Sequence, residues 1–204
     1  MERIVCLLVG YAFGSILTAE VVARVMVHKS AFDLGDGNPG MANVGHALGT
    51  KAALICLAGD ILKTVAAVLI ARALFPQLGG LCTMWAGLGS TLGHDFPFWH
   101  GFRGGKGVTT IASTIILNSP LWGILSGVIG AASIVLTGYL SMAAMIAIVF
   151  YTVVMFVTMP LEYALISLAF VALSLYGHWS KLIGISLGTT RRASLYTKFW
   201  SRFR

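Results

Sequence analysis

Lys106 stands next to last in a run, Gly93-His94-Asp95-Phe96-Pro97-Phe98-Trp99-His100-Gly101-Phe102-Arg103-Gly104-Gly105-Lys106-Gly107, that separates two stretches apolar enough to lie in a bilayer. An imidazole, a guanidinium and an ammonium beside glycines are costly at a membrane boundary unless they hold something anionic, and phosphate is the leading candidate. A helix is expected to begin near Val108. Glycines Gly104, Gly105 and Gly107 would feed its N-terminus, where backbone N–H groups without intrahelical acceptors favour an anion. The run is not a Walker A loop, because His100 stands four residues before Gly104 and Gly107, not Ser or Thr, follows Lys106. Snorkelling of Arg103 and Lys106 to a headgroup boundary would explain the charges but not the glycines.

A second glycine cluster, Gly35-Asp36-Gly37-Asn38-Pro39-Gly40-Met41-Ala42-Asn43, reads either as a tight turn or as a backbone concavity for an anion. Asp60 and Lys63 are three apart and share a helix face, as an intrahelical ion pair that could orient neighbouring loops. His178, after Gly177, is either a cap or interfacial residue at a helix end or a catalyst. Glu20 lies within an apolar segment and needs a polar partner. His28, His46, His94, His100 and His178 form no HxxxH or HExxH spacing, so no metal site is expected. Cys6, Cys56 and Cys82 stand apart in apolar surroundings and read as small buried hydrophobes.

The elements that must position these residues follow from composition. Of 204 residues, 57% are hydrophobic and only 10% charged, which marks an all-α integral membrane protein and leaves no soluble domain. Periodicity and breakers predict seven helices at about 3–27, 51–74, 80–95, 108–118, 121–136, 139–158 and 161–177, as a bundle with short or partly submerged members and cytoplasmic glycine-rich loops. The segment at 108–118 is too short to span alone. The first apolar run lacks a convincing cleavage site and is read as a retained helix. Residues 1–204 form one membrane domain with a basic tail from about 179.

The tail carries Lys181, Arg191, Arg192, Lys198, Arg202 and Arg204 without an acidic residue, so the positive-inside rule keeps it cytoplasmic. Seven spans then put the N-terminus outside. Both glycine clusters and the loops bearing Arg24, His28, Lys29 and Lys51 fall on the cytoplasmic side, as one site built from three loops. Basic residues flanking membrane spans, with no recognition module, argue against nucleic-acid binding. A transporter would spread its polar residues across the bilayer instead of gathering them on one side.

At these residues the chain resembles the acyl-phosphate:glycerol-3-phosphate acyltransferase family. The matching residues are Gly14-Ser15-Ile16 with Thr18 and Arg24, Gly37-Asn38-Pro39-Gly40 with Asn43-Val44, Asp60 and Lys63, Gly93-His94, Phe96-Pro97, Phe102-Arg103-Gly104-Gly105-Lys106-Gly107-Val108, His178 and Gly188. The resemblance implies a seven-helix enzyme of the bacterial cell membrane that moves a fatty acyl group from acyl phosphate to glycerol 3-phosphate, without cofactor or metal. It implies catalytic roles for Lys106, His178 and Asn43. Substrate contacts are implied for Ser15, Asp36, Gly37, Asn38, Gly40, His46, His94, Arg103, Gly104, Gly105, Gly107 and Lys181, with Asp60 and Lys63 as a structural pair. Its partners would be acyl phosphate, a small polar acceptor and membrane lipid.

The chain also departs from the family pattern. Ser30-Ala31-Phe32 stand where the family has DxR, Asp36 where it has serine, Ala42 where it has threonine and His46 where it has arginine. Lys181, Gly184 and Thr190 replace asparagine, arginine and glutamate. Losing arginines while gaining Asp36 makes the acceptor side less hospitable to a phosphate dianion, although Lys181 could restore phosphate binding in another geometry. Two alternatives stand beside the family reaction: the same donor with an amine or uncharged hydroxyl acceptor, or a non-catalytic lipid-binding paralogue.

Overall fold

A computed structural model describes residues 1–201; Arg202, Arg204 and the side chain of Lys198 lie outside the described residues. The helices are α1 (Glu2–Gly14), α2 (Thr18–Val27), α3 (Met41–Leu48), α4 (Thr50–Leu74), α5 (Gly80–Asp95), α6 (Val108–Asn118), α7 (Pro120–Thr137), α8 (Leu140–Thr158), α9 (Leu161–Ser186) and α10 (Ser194–Trp200), and the described residues contain no strand. Five stretches are long and apolar enough to cross a membrane: Glu2–Val27, Thr50–Leu74, Pro120–Thr137, Leu140–Thr158 and Leu161–Ser186.

Three boundaries differ from the sequence reading. The first segment is broken into α1 and α2 at Ser15-Ile16-Leu17, with Leu17 in extended conformation. Polar residues elsewhere satisfy the freed backbone, as shown below. The second half of the glycine cluster at 35–43 turns into helix at Met41, because Gly40 is extended and Asn43 can hold the preceding loop from the first turn of α3. The last span runs to Ser186, past 177, since Gly184 and the threonines beyond it supply its C-terminal cap.

The chain packs as two compact units, Met1–Asn118 and Ser119–Arg204. In the first, α5 is the buried centre and touches α1, α4 and α6. Glycines set how closely these helices approach. A Cβ on Gly10 would lie 2.0 Å from the Ala86 carbonyl oxygen, one on Gly14 2.1 Å from that of Ser90, and one on Gly89 2.0 Å from that of Leu7. Gly10-x-x-x-Gly14 on α1 therefore meets Gly89-x-x-x-Gly93 on α5 backbone to backbone, the contact that small residues four apart permit in lipid, where dispersion must replace the hydrophobic drive.

The short α6 packs through Thr114 into the gap left by Gly87. Its terminal Leu117 carbonyl accepts from the Arg72 guanidinium (3.1 Å), which also donates to Thr83 Oγ1 (2.8 Å). An eleven-residue helix thus ends beside protein donors instead of leaving its carbonyls to lipid.

In the second unit α7 packs on α8, α8 on α9, and α10 on α7. Gly130 admits the Ala143 carbonyl, and Thr152 Oγ1 donates to the carbonyls of Ile148 (2.9 Å) and Ser167 (3.3 Å). The tail is tied down by Ala193 N–H to Gly138 O (2.7 Å) and the Trp200 indole N–H to Val135 O (3.0 Å).

Substituting Gly10→Leu should lower the thermal unfolding midpoint in detergent by the equivalent of about 3 kcal/mol. Gly127→Leu, where a Cβ meets nothing within 4 Å, should leave the midpoint nearly unchanged. Equal shifts for the two would remove the argument for backbone contact between α1 and α5.

Candidate active site

The break between α1 and α2 exposes the Ile16 carbonyl inside the first unit, where Lys63 reaches it from α4. The Lys63 ammonium makes three contacts: 2.8 Å to Asp60 Oδ1, 2.9 Å to Ile16 O and 2.9 Å to His94 Nδ1. Asp60 also accepts from Thr18 Oγ1 at 3.2 Å. Lys63, Asp60 and His94 are all buried. An ammonium has three donors and no acceptor, so this set saturates it. His94 must then accept at Nδ1 and carry its proton at Nε2.

That proton points at the glycine loop. A Cβ on Gly105 would lie 2.1 Å from His94 Nε2, and one on Gly104 would lie 2.1 Å from the His94 carbonyl oxygen, which accepts the Gly105 N–H at 2.9 Å. Gly107 takes φ +63°, and its Cβ would meet Thr91 and the Asp95 carboxylate. Side chains are excluded from this loop because it lies directly on the last turn of α5. Gly107 O accepts from Ile111 N–H (2.9 Å) and Thr110 Oγ1 (2.8 Å), which launches α6. The first-turn N–H groups of α6 have no intrahelical acceptor, and the half-buried Lys106 stands beside them. One helix N-terminus, one imidazole N–H and one lysine adjacent in sequence are a donor set of the kind that suits an anion.

The glycine cluster at 35–43 is held by Asn43. Its amide nitrogen donates to Leu34 O (2.8 Å) and Asn38 O (3.0 Å), and its oxygen accepts the Asp36 N–H (2.9 Å). Both donors and the acceptor are spent on backbone, so Asn43 fixes the loop's shape. A Cβ on Gly35 would lie 2.0 Å from Asn43 Oδ1, and Gly37 takes φ +74°. Asp36 is exposed and accepts the Asn38 N–H at Oδ1 (3.3 Å), and His46 is exposed on α3.

Phe32 joins the two loops, with its ring 5.6 Å from that of His100 and 5.9 Å below the Arg103 guanidinium. Ser15 spends its hydroxyl on Ala12 O (3.0 Å), while its carbonyl accepts the Trp99 indole N–H (3.0 Å). Ser15, the glycines of both loops, Arg103, His94, Asp60 and Lys63 thus belong to one unit.

Glu20 finds three partners unnamed by the sequence pattern: Arg24 Nε at 2.8 Å, Ser30 Oγ at 2.9 Å and Ala31 N–H at 2.7 Å. It caps the turn that presents Phe32. The i, i+4 spacing of Glu20 and Arg24 was the available signal. Tyr11, which donates to Phe96 O at 2.7 Å, carried none.

His178 and Lys181 belong to the second unit. His178 is buried, and its Nδ1 lies 2.9 Å from Ser174 O, which can only accept, so Nε2 is the ring's acceptor. The Lys181 and Gly184 carbonyls end α9. Thr190 Oγ1 donates to Lys181 O (3.0 Å), and the Thr189 and Thr190 N–H groups donate to Gly184 O (2.8 and 3.1 Å). A Cβ on Gly184 would lie 2.4 Å from Thr190 Oγ1, so the departures at 184 and 190 are steric complements.

A multi-pass helical membrane protein is the class this geometry defines. The Glycerol-3-phosphate acyltransferase family model matches residues 4–187, on both sides of the boundary between the units. Glycerol-3-phosphate acyltransferase 1 of Lactobacillus johnsonii is 31% identical over 96% of this chain and 94% of its own length. The Coxiella burnetii glycerol-3-phosphate acyltransferase is 33% identical over 96% and 100%. A crystal structure of the integral membrane glycerol 3-phosphate acyltransferase PlsY (YgiH) in its glycerol 3-phosphate form aligns with a TM-score of 0.86 and 28% identity over 98% of this chain and 100% of that one. Its lysophosphatidic acid form gives 0.83 at 28% identity over 96% and 97%. The chain belongs to the glycerol-3-phosphate acyltransferase family, and it is an acyltransferase.

Lys63→Met should cost about 3 to 5 kcal/mol by leaving the Asp60 carboxylate buried without its counter-charge, and Asp60→Leu combined with Lys63→Met should recover most of that loss. Thermal unfolding of the two single variants and the double variant measures the coupling. Additive losses would mean that Lys63 and Asp60 act independently.

Proposed function

We propose that the protein transfers a fatty acyl group from acyl phosphate to the hydroxyl of glycerol 3-phosphate, releasing lysophosphatidic acid and inorganic phosphate. The observation that carries this reading is the seat of the Gly104–Gly107 loop on His94, which aims an imidazole N–H at the mouth of a helix N-terminus beside Lys106. An acyl phosphate is a mixed anhydride with a good leaving group already attached. The protein need form no covalent intermediate; it holds the phosphate and stabilises the charge that grows as the acyl carbon–oxygen bond breaks. Lys106, His94 Nε2–H and the α6 N-terminus supply that stabilisation. Asn43 acts as a positioning residue for the loop that takes the acceptor. The acceptor proton passes to a substrate phosphate, a route that needs no protein base.

The same reading places the enzyme in a bacterial cell membrane with the N-terminus outside and both glycine loops inside. Arg24, Lys29, Lys51, Arg103 and Lys106 on the loop side support that orientation. The acyl chain lies against the lipid-facing apolar surface. A second reading keeps the donor and changes the acceptor. It is favoured by the exposed Asp36 and by Phe32, whose ring stacks where the family carries the arginine of its DxR.

Lys106→Ala should lower acyl-phosphate-dependent turnover by at least about 100-fold while the purified protein keeps its unfolding midpoint. Full activity in that variant would remove this site from the chemistry. Asp36→Ser combined with His46→Arg should lower the KM for glycerol 3-phosphate about tenfold with kcat unchanged. If the wild-type protein instead turns over an amine or neutral alcohol faster than glycerol 3-phosphate, the second reading takes its place.

A further inference from the structure

Asp95, the last residue of α5, is only 6% exposed, and its Oδ1 is fully buried without a hydrogen-bond partner among the described residues. Its carboxylate faces the underside of the glycine loop. A Cβ on Gly107 would come 2.9 Å from Oδ1 and 3.2 Å from Oδ2. The nearest cation from α4, Lys63, acts on it through charge alone and gives it no hydrogen bond, because its three donors are already directed at Asp60, Ile16 O and His94. The Asp60 charge is taken by that ammonium, and His94 is neutral when it accepts from Lys63. The loop itself carries two further cations, Arg103 and Lys106. The glycine loop therefore rests on a carboxyl group whose Oδ1 has no hydrogen bond among the described residues.

We propose that Asp95 is a specificity-determining residue that makes anion binding at the glycine loop proton-linked: a tetrahedral dianion is accepted when the Asp95 carboxyl carries a proton and is resisted when it is ionised. The reason is Coulombic. Two like charges a few ångströms apart, separated by a glycine and little water, repel far more than they would in bulk solvent. The α6 N-terminus can favour one of them, but the carboxylate and the ligand compete for the same N–H dipoles. By linkage, a ligand that binds the protonated form more tightly draws a proton onto Asp95, and its affinity falls as pH rises through the ionisation. Asp95 touches no reacting atom. It sets which charge state of the site meets the substrate phosphate, so its effect belongs in the KM for the donor and not in kcat.

This inference rests on the acyl-phosphate reading only for the assay, and sulfate tests it separately. Sulfate is a tetrahedral dianion that does not titrate between about pH 6 and about pH 9, whereas inorganic phosphate does. Its inhibition constant against the acyl-phosphate donor is measured across that range for the wild-type enzyme, Asp95→Asn and Asp95→Leu, with direct calorimetric binding of sulfate as a second readout. The wild-type constant should rise about tenfold or more toward high pH relative to both variants, which should share a flatter profile and bind sulfate more tightly at about pH 9. Asp95→Leu guards against a folding defect peculiar to the amide. Parallel profiles for wild type and variants overturn the proposal while leaving the acyltransferase reading in place. Sulfate binding without turnover of any acyl phosphate would sink the acyl-phosphate reading and leave the proton linkage to be judged from calorimetry alone.

Discussion

A single buried ammonium organises the first unit. Lys63 would be prohibitively costly in a bilayer if left bare, and its three donors are answered from three directions: a carboxylate one turn away, a carbonyl freed by a helix break, and an imidazole at the end of α5. Each answer constrains something else. The carbonyl of Ile16 is available only because α1 stops at Gly14, so the interruption of the first span and the buried lysine require each other. The imidazole contact fixes a tautomer, and the tautomer decides that a donor, not an acceptor, is presented to the glycine loop. An electrostatic need in the interior is thereby converted into the polarity of a binding surface about one imidazole ring away.

The glycines do two different jobs. On α1 and α5 they remove side chains so that two backbones touch, which brings the helix break and His94 to the same level. In the loop from Gly104 to Gly107 they let the chain lie flat on the last turn of α5, and only Gly107 also needs its left-handed φ. A methyl group at either set acts through distance: it would lift the loop off His94 or push α1 away from Lys63. Packing and chemistry share their tolerances here.

Much of this was legible in the residues. The membrane class, the approximate helices, the ion pair spacing of Asp60 and Lys63 and the glycine loop that leads into a helix at Val108 all follow from composition, period and glycine placement. What escaped was whatever depends on a partner distant in sequence. Nothing in Ser15-Ile16-Leu17 announces a break, because those residues are compatible with helix and the break is supported by a lysine on another segment. The partners of Glu20 lie partly in a turn ten residues on, and Tyr11 and Trp99 act through backbone carbonyls that have no sequence signature. The Gly-x-x-x-Gly pairs were visible as spacing, but only their facing positions in space give them meaning. The end of the last span was misplaced because Gly177-His178 resembles a terminus, whereas the true cap is made by threonines beyond Gly188.

The fit of Thr190 into the space beside Gly184 has a consequence for how such a chain changes over generations. The two residues interlock, so a side chain at 184 and the Thr190 hydroxyl that caps the helix compete for one space. A bulkier residue at either position is tolerated only if the other changes with it, so local crowding ties the two positions together whatever the substrate.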